Sequence, residues 1–195
     1  IDLLAFTGHK SLFGPQGTGG LYIREGLDER IPPFMRGGTG SRSEFEEQPN
    51  FMPDKYESGT PNALGLAGLG AGIGFLRTVG IDAIREKETA LTKAFLEGAG
   101  TLKGIHLYGS PDMGKRTSVV SFNIEGMSPS EASMHLDEHY GILCRPGLHC
   151  APLAHRTVGT FPQGTLRFSF GYYNTLGQIE EALKALEKIS GEHGR

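Results

Sequence analysis

The chain opens on the apolar run Ile1-Asp2-Leu3-Leu4-Ala5-Phe6, which has the length and composition of a buried strand. Leu21-Tyr22-Ile23 forms a second, shorter strand, joined to the first by the glycine-rich stretch Gly14-Pro15-Gln16-Gly17-Thr18-Gly19-Gly20. From Gly37 to Asn62 the periodicity disappears and Gly, Ser and Pro dominate. A long unstructured stretch of this kind inside a compact protein usually carries a site. From Ala63 the spacing turns helical, with Leu64, Ala67, Gly68, Ala71, Ile73, Phe75 and Leu76 crowding one broad face and Gly80 closing the segment. Its small residues predict dense packing against other helices. Ile81–Leu96 reads as a second helix with a more polar outer face. Beyond residue 100, Ile105-His106-Leu107-Tyr108, Ser118–Ile124 and Leu166–Phe170 read as strands. Ser130–His139 and Thr175–Ile189 read as helices, the latter with Ile179, Leu183, Leu186 and Ile189 at helical spacing. This change of character places a domain boundary in the helical region 80–100, giving a division into residues 1–85 and an α+β unit of residues 86–195.

Charge and composition narrow the picture. With 19 Lys+Arg against 22 Asp+Glu the net charge is −3 and unclustered, unlike the basic stripe of a nucleic-acid surface. No apolar run reaches membrane-spanning length, and the opening residues do not read as a signal peptide. Two cysteines, Cys144 and Cys150, make no disulfide framework, so the expected compartment is reducing and cytoplasmic. The chain begins mid-strand on isoleucine, and on that ground it reads as the C-terminal piece of a longer protein.

Candidate chemistry starts at Lys10. It follows the first strand and Thr7-Gly8-His9, and precedes the glycine run. An amine held at a strand end beside glycines suits Schiff-base chemistry, because a flat ligand can come close where there is no Cβ. A nucleotide loop of the Walker A type needs Gly-Lys-Ser/Thr at the end of its glycine run, whereas here Lys10 precedes the run and Gly20 leads to Leu21.

The densest set of reactive side chains lies between Cys144 and His155. Three readings compete for it. Cys144, His149, Cys150 and His155 are a zinc set in kind but not in spacing. Cys144 ends the apolar run Gly141-Ile142-Leu143, where a small thiol packs like an alanine. Cys150, in a Gly/Pro-bounded loop with His149 beside it and Arg145 nearby, has the surroundings of a nucleophile.

Four segments in order bring these together: Thr7-Gly8-His9-Lys10-x3-Gly14-Pro15-x-Gly17-x-Gly19, Glu57-Ser58-Gly59-Thr60-Pro61-Asn62, Arg145-x-Gly147-x-His149-Cys150-Ala151, and Arg167-x-Ser169-x3-Tyr173-Asn174-Thr175. The sequence resembles the class V aminotransferases of the pyridoxal-phosphate (PLP) fold type I. Within them it is most similar to the group II cysteine desulfurases and selenocysteine lyases. The resemblance runs from residue 1 to about residue 190. It implies an α/β fold: residues 1–85 are the trailing part of a large PLP-binding domain, and residues 86–195 are a small C-terminal α+β domain.

The resemblance also implies roles. Lys10 is the Schiff-base lysine for pyridoxal 5′-phosphate, Thr7 and His9 bind its phosphate, and Thr60 reaches the phosphate held by a partner subunit, implying a homodimer. Gly38, Thr39 and Gly40 also line the cofactor at that interface. Arg167 clamps the substrate α-carboxylate, a task suited to a planar bidentate guanidinium. Arg145 and His149 complete the substrate-side loop, and Cys150 takes sulfur or selenium from a cysteine or selenocysteine substrate, giving alanine and an enzyme persulfide. A sulfur-acceptor protein is the implied partner. One departure stands out: Leu148 replaces a histidine that the group II pattern often carries. The residues that stack on the cofactor ring and hold its pyridine nitrogen protonated lie upstream of the lysine strand in this family and are absent from these 195 residues. The isolated chain is therefore expected to lack bound cofactor and desulfurase activity, and to self-associate through its first strand. The alternatives are another class V aminotransferase or epimerase, in which Cys150 is incidental, and a non-enzymatic zinc-stabilised or interaction module.

Overall fold

A computed structural model describes residues 1–193. They form two compact units, Ile1–Ile81 and Asp82 onward, so the division falls just before the 85/86 position expected from the sequence. The two units hold separate sheets.

The first unit starts with β1 (Leu3–Thr7) paired antiparallel with β2 (Gly19–Ile23), in a register that sets Thr7 opposite Gly19 and Leu3 opposite Ile23. The turn region between them closes on itself, Gly8 N–H donating to Thr18 O at 2.8 Å and Gly14 N–H to Gly8 O at 2.9 Å. Helix α1 (Ala63–Val79) supports this turn. Its Asn62 cap accepts from Gly65 N–H at 3.0 Å, satisfying one of the free amides of the first turn.

The buried face of α1 is Gly65, Leu69 and Gly72, and it differs from the face expected. Leu64 is 89% exposed and Ile73 40%. A helix so rich in Gly and Ala offers several faces with nearly equal apolar content. The one used is the face whose glycines admit backbone. A Cβ on Gly72 would fall 2.5 Å from Leu12 O. Next to it, Phe75 meets Phe13 edge-on, ring centroids 5.3 Å apart. Within this unit the packing is therefore helix on glycine turn.

Between β2 and α1 the chain has no regular element, as expected, yet it is tied down. Lys55 is buried and its ammonium donates to Asp28 O, while Tyr56 Oη donates to Ile31 O at 2.8 Å.

The second unit is a two-layer α/β sandwich. Its sheet has the order β3 (Ile105–Tyr108), β4 (Val119–Ile124), β6 (Thr165–Ser169) and β5 (Arg145–Gly147), every neighbour antiparallel. Alternation along β4 buries Val120, Phe122 and Ile124, as period-2 geometry requires. Against that face pack α2 (Ile81–Ala99) through Leu91, Phe95 and Ala99, α3 (Pro129–Tyr140) through Ala132 and Leu136, and α5 (Leu176–His193) through Ile179, Leu186 and Ile189. Phe95 is fully buried, with ring centroids 5.8 Å from Phe122 and 5.3 Å from both Phe168 and Phe170. Helix α3 is set by a complete capping box, Ser128 with Glu131, and stops at Gly141 with φ 63°. Among the described residues no single helix is long and apolar enough to cross a membrane.

Candidate active site

Each unit carries one reactive side chain on a tight turn. In the first, Lys10 lies just past the end of β1 and is exposed, and Lys10 O accepts Phe13 N–H at 3.0 Å. Phe13 itself has φ 56°, an uncommon conformation for a bulky residue. The glycines are required. A Cβ on Gly14 would sit 2.7 Å from Leu69 Cδ1 and 2.8 Å from Gly8 O, and one on Gly8 would strike Thr18. Close α1 packing thus fixes the turn that carries the amine.

Beside Lys10, Thr7 Oγ1 and His9 Nδ1 are hydrogen-bonded at 2.8 Å. One amine, one hydroxyl and one imidazole on four consecutive residues are a donor set for a phosphorylated aldehyde, and the residues present fit pyridoxal phosphate. Thr60 is exposed on a segment where Gly59, at φ 85°, donates its N–H to Gly38 O at 2.8 Å. Gly38 and Thr60 are therefore brought together, with Thr39 Oγ1 bonded to Ser41 Oγ at 2.9 Å.

The second reactive turn leaves β5. His149 and Cys150 take φ 53° and 61°, two successive left-handed residues of which neither is glycine. Such backbone costs of order 1–3 kcal/mol per residue and persists only where the surroundings impose it. Here Ala151 N–H donates to Leu148 O at 2.8 Å, and the His149 Nε2–H donates to Arg145 O at 2.8 Å. A carbonyl only accepts, so Nε2 carries a proton. Burial pushes the His149 imidazole below its usual value, opposed by that bond and assisted by the charges of Arg167, His155 and Arg145. The turn leaves Cys150 exposed, with Arg145 Nη2 3.5 Å from its sulfur.

Register places both arginines beside this turn. Arg145 on β5 lies directly opposite Arg167 on β6, which in turn faces Ser121 on β4 and then Tyr108 on β3. These four residues form one row across the face of the sheet opposite the helices. Like charges directly opposite each other destabilise a sheet, and among the described residues neither arginine has a carboxylate within ion-pairing distance. Arg167 is half-buried with Nε unpartnered. An arginine pair held in this way has the chemistry to bind a carboxylate or another anion.

Cys144 lies apart from this chemistry. It is half-buried, its thiol donates to Ser133 Oγ at 3.4 Å, and burial raises its pKa. Among the described residues no three His, Cys, Asp or Glu side chains converge to hold a metal, so the quartet Cys144, His149, Cys150 and His155 is not brought together. His155 is instead buried with Nδ1 2.7 Å from Thr160 Oγ1. The sequence reading missed two elements here, the short strand β5 and the helix α4 (Pro152–Thr157). Pro152 in the first turn of α4 was the available signal for the helix.

Comparison with known proteins adds the family. The aminotransferase class-V family model matches residues 1–182. A probable cysteine desulfurase of Pyrococcus abyssi is 41% identical over 194 residues, covering 96% of this chain and 46% of the relative. The apo structure of a cysteine desulfurase from Thermococcus onnurineus NA1 superposes with a TM-score of 0.88 at 36% identity, over 98% of this chain and 48% of that one. The S-sulfonic acid form of the Escherichia coli cysteine desulfurase CsdA gives 0.85 at 31% identity, over 99% and 47%. The chain thus spans about half the length of the relatives it matches.

Proposed function

This chain belongs to the aminotransferase class-V family and has the PLP fold type I, and on that footing we propose that it supplies the lysine and cysteine of a pyridoxal-phosphate-dependent cysteine desulfurase. In this reading residues 1–85 belong to the cofactor domain and residues 86–195 form the small C-terminal domain. Thr7 and His9 would hold the phosphate and Lys10 the aldehyde carbon. The bound cofactor supplies an electron sink that labilises bonds at the substrate Cα and Cβ.

The chain's own groups do the rest. Arg167 binds the substrate α-carboxylate through a bidentate guanidinium, and its unpartnered Nε supports that assignment. Arg145, across the ladder, keeps the field beside Cys150 positive. The Lys10 amine moves a proton at the substrate Cα. Cys150 Sγ takes up the sulfur leaving the substrate's Cβ, so cysteine departs as alanine and the sulfur stays as a persulfide. Thr60 completes the phosphate site of a second subunit in a homodimer, and a sulfur-acceptor protein receives the sulfur. An exposed, unpaired Cys150 suits a reducing, cytoplasmic setting.

The observation that carries the reading is Cys150, exposed on a left-handed turn with an arginine on its sulfur. This favours the desulfurase over a class V aminotransferase or epimerase, which needs no such thiol. In the full-length protein, Cys150→Ala should keep the cofactor's visible absorbance and lose sulfide release from cysteine. Full cysteine turnover by that variant would sink the mechanism.

A further inference from the structure

The sheet face that carries Arg167 also carries groups the desulfurase mechanism leaves unused. A cavity of about 440 Å³ opens on it, a size typical of small-molecule sites. Strand order gives it two ends. His149, Thr165 and Arg167 line the end toward β5, while Tyr108, Lys115 and Arg116 line the end toward β3. Three cationic side chains face the cavity, and among the described residues no Asp or Glu does. Asp112, which pairs with Lys115 at 3.7 Å, lies outside the wall.

Arg116 is the informative member. It is half-buried, and its guanidinium donates to Ser110 O at 2.5 Å and Tyr108 O at 3.2 Å. Both acceptors are neutral, so they fix the group without cancelling its charge. At the other end Thr165 is 1% exposed with Oγ1 unpartnered, as is Arg167 Nε. Buried donors without partners are costly, and a ligand with acceptor oxygens would satisfy them. An amino acid substrate brings one carboxylate, enough for Arg167 alone. At the other end Arg116 has no carboxylate partner among the described residues, and Lys115 has only Asp112, outside the wall.

We propose that this cavity, once alanine has vacated Arg167, binds a small dianion, one acid group on Arg167 and the other at the Lys115–Arg116 end, and that its ligand is a dicarboxylate thiol, a second sulfur acceptor for Cys150 besides the acceptor protein. The acceptor role rests on the desulfurase reading; the dianion subsite does not. Placement supports the role, because His149 and Ala151, the chain neighbours of Cys150, are in the wall. The ligand thiolate attacks the outer sulfur of the Cys150 persulfide. The sulfur–sulfur bond breaks, its electron pair leaves with Cys150 Sγ as thiolate, and the ligand departs as a persulfide. No external oxidant or reductant is consumed.

The test begins with binding of succinate and acetate to the full-length protein, followed by amide chemical shifts. Succinate should bind about tenfold tighter, the weight of one charge-assisted hydrogen bond, and shift Ser121 and Arg167. Arg116→Gln and Lys115→Gln should each bring the ratio toward unity, while Lys184→Gln, a cation outside the cavity wall, should leave it unchanged. If Arg116→Gln loses its dispersed spectrum, Lys115→Gln decides. Equal affinities, or a ratio that Lys115→Gln does not lower, overturn the subsite. In the full-length protein, mercaptosuccinate should then outperform mercaptoethanol as sulfur acceptor. Equal performance overturns the acceptor role even where succinate binds. Cysteine turnover with a neutral dithiol reads the desulfurase mechanism separately.

Discussion

The Lys10 turn and the Cys150 turn hold a reactive side chain at the end of a strand by opposite means. At Lys10 the close approaches are assigned to glycine, with Phe13 the one left-handed non-glycine of the turn: Gly8 and Gly14 let backbone and Leu69 approach to distances that any Cβ would forbid. At Cys150 the strained positions are His149 and Cys150 themselves, held by bonds to Leu148 O and Arg145 O. The units around them differ too. The unit of Cys150 closes a full core, with Phe95, Phe122, Leu166 and Leu186 at 0% exposure. The hairpin of Lys10 leaves Leu3 49%, Leu4 46% and Leu21 52% exposed. The lesson is that the cysteine turn is built by its own unit, while the apolar surface of the lysine hairpin is not buried within the described residues.

The largest effect should separate the two cores. Phe95→Ala removes a ring packed among three others and should cost about 3–5 kcal/mol. Leu4→Ala, on the exposed hairpin, should cost less than about 1 kcal/mol. Denaturant unfolding followed by circular dichroism measures both, and similar costs would break the contrast. A smaller effect comes from the lysine turn. Gly14→Ala pushes a methyl toward Leu69 and Gly8 O and should cost about 1–3 kcal/mol as overpacking. Its companion Leu69→Ala should remove part of that penalty in the double variant, since the two sites share one contact. Additive costs would mean that α1 does not define the turn.

How much of this was legible beforehand follows from the range of the interactions involved. Strand β4 and helices α2, α3 and α5 were readable because Val120, Phe122 and Ile124, or Ile179, Leu186 and Ile189, repeat with the period of their own element. Lys10 and Cys150 stand in short local motifs that are visible along the chain. The family resemblance was legible as well, and the class-V match over residues 1–182 agrees with it. Three features were not. The face of α1 was misjudged because its glycines and alanines weight several faces alike. The left-handed pair His149–Cys150 carries no glycine to announce it. The row Tyr108–Ser121–Arg167–Arg145 depends on registers among four strands, which no local pattern encodes.

The smallest expected effect is a pH dependence at the cysteine turn. The folded state holds the His149 imidazole below its usual value, with burial as the main cause. As pH falls through the ordinary imidazole range, the unfolded chain gains a proton that the folded chain binds less readily. Stability is therefore lost on the acid side and flat above it. His149→Gln should shrink the acid-side loss in unfolding curves taken across that range. A larger acid-side loss in the variant would show the sign to be wrong.

The central claim is that Lys10 and Cys150 serve one reaction. Its most direct test is to expose the full-length protein to cysteine without reductant, block free thiols, and weigh the peptides that carry Cys144 and Cys150. The account predicts one added sulfur atom on Cys150, none on Cys144, and none on either cysteine in Lys10→Ala. Alanine formed by the unaltered protein with Cys150 bare, or sulfur added to Cys150 when Lys10 is gone, would contradict it.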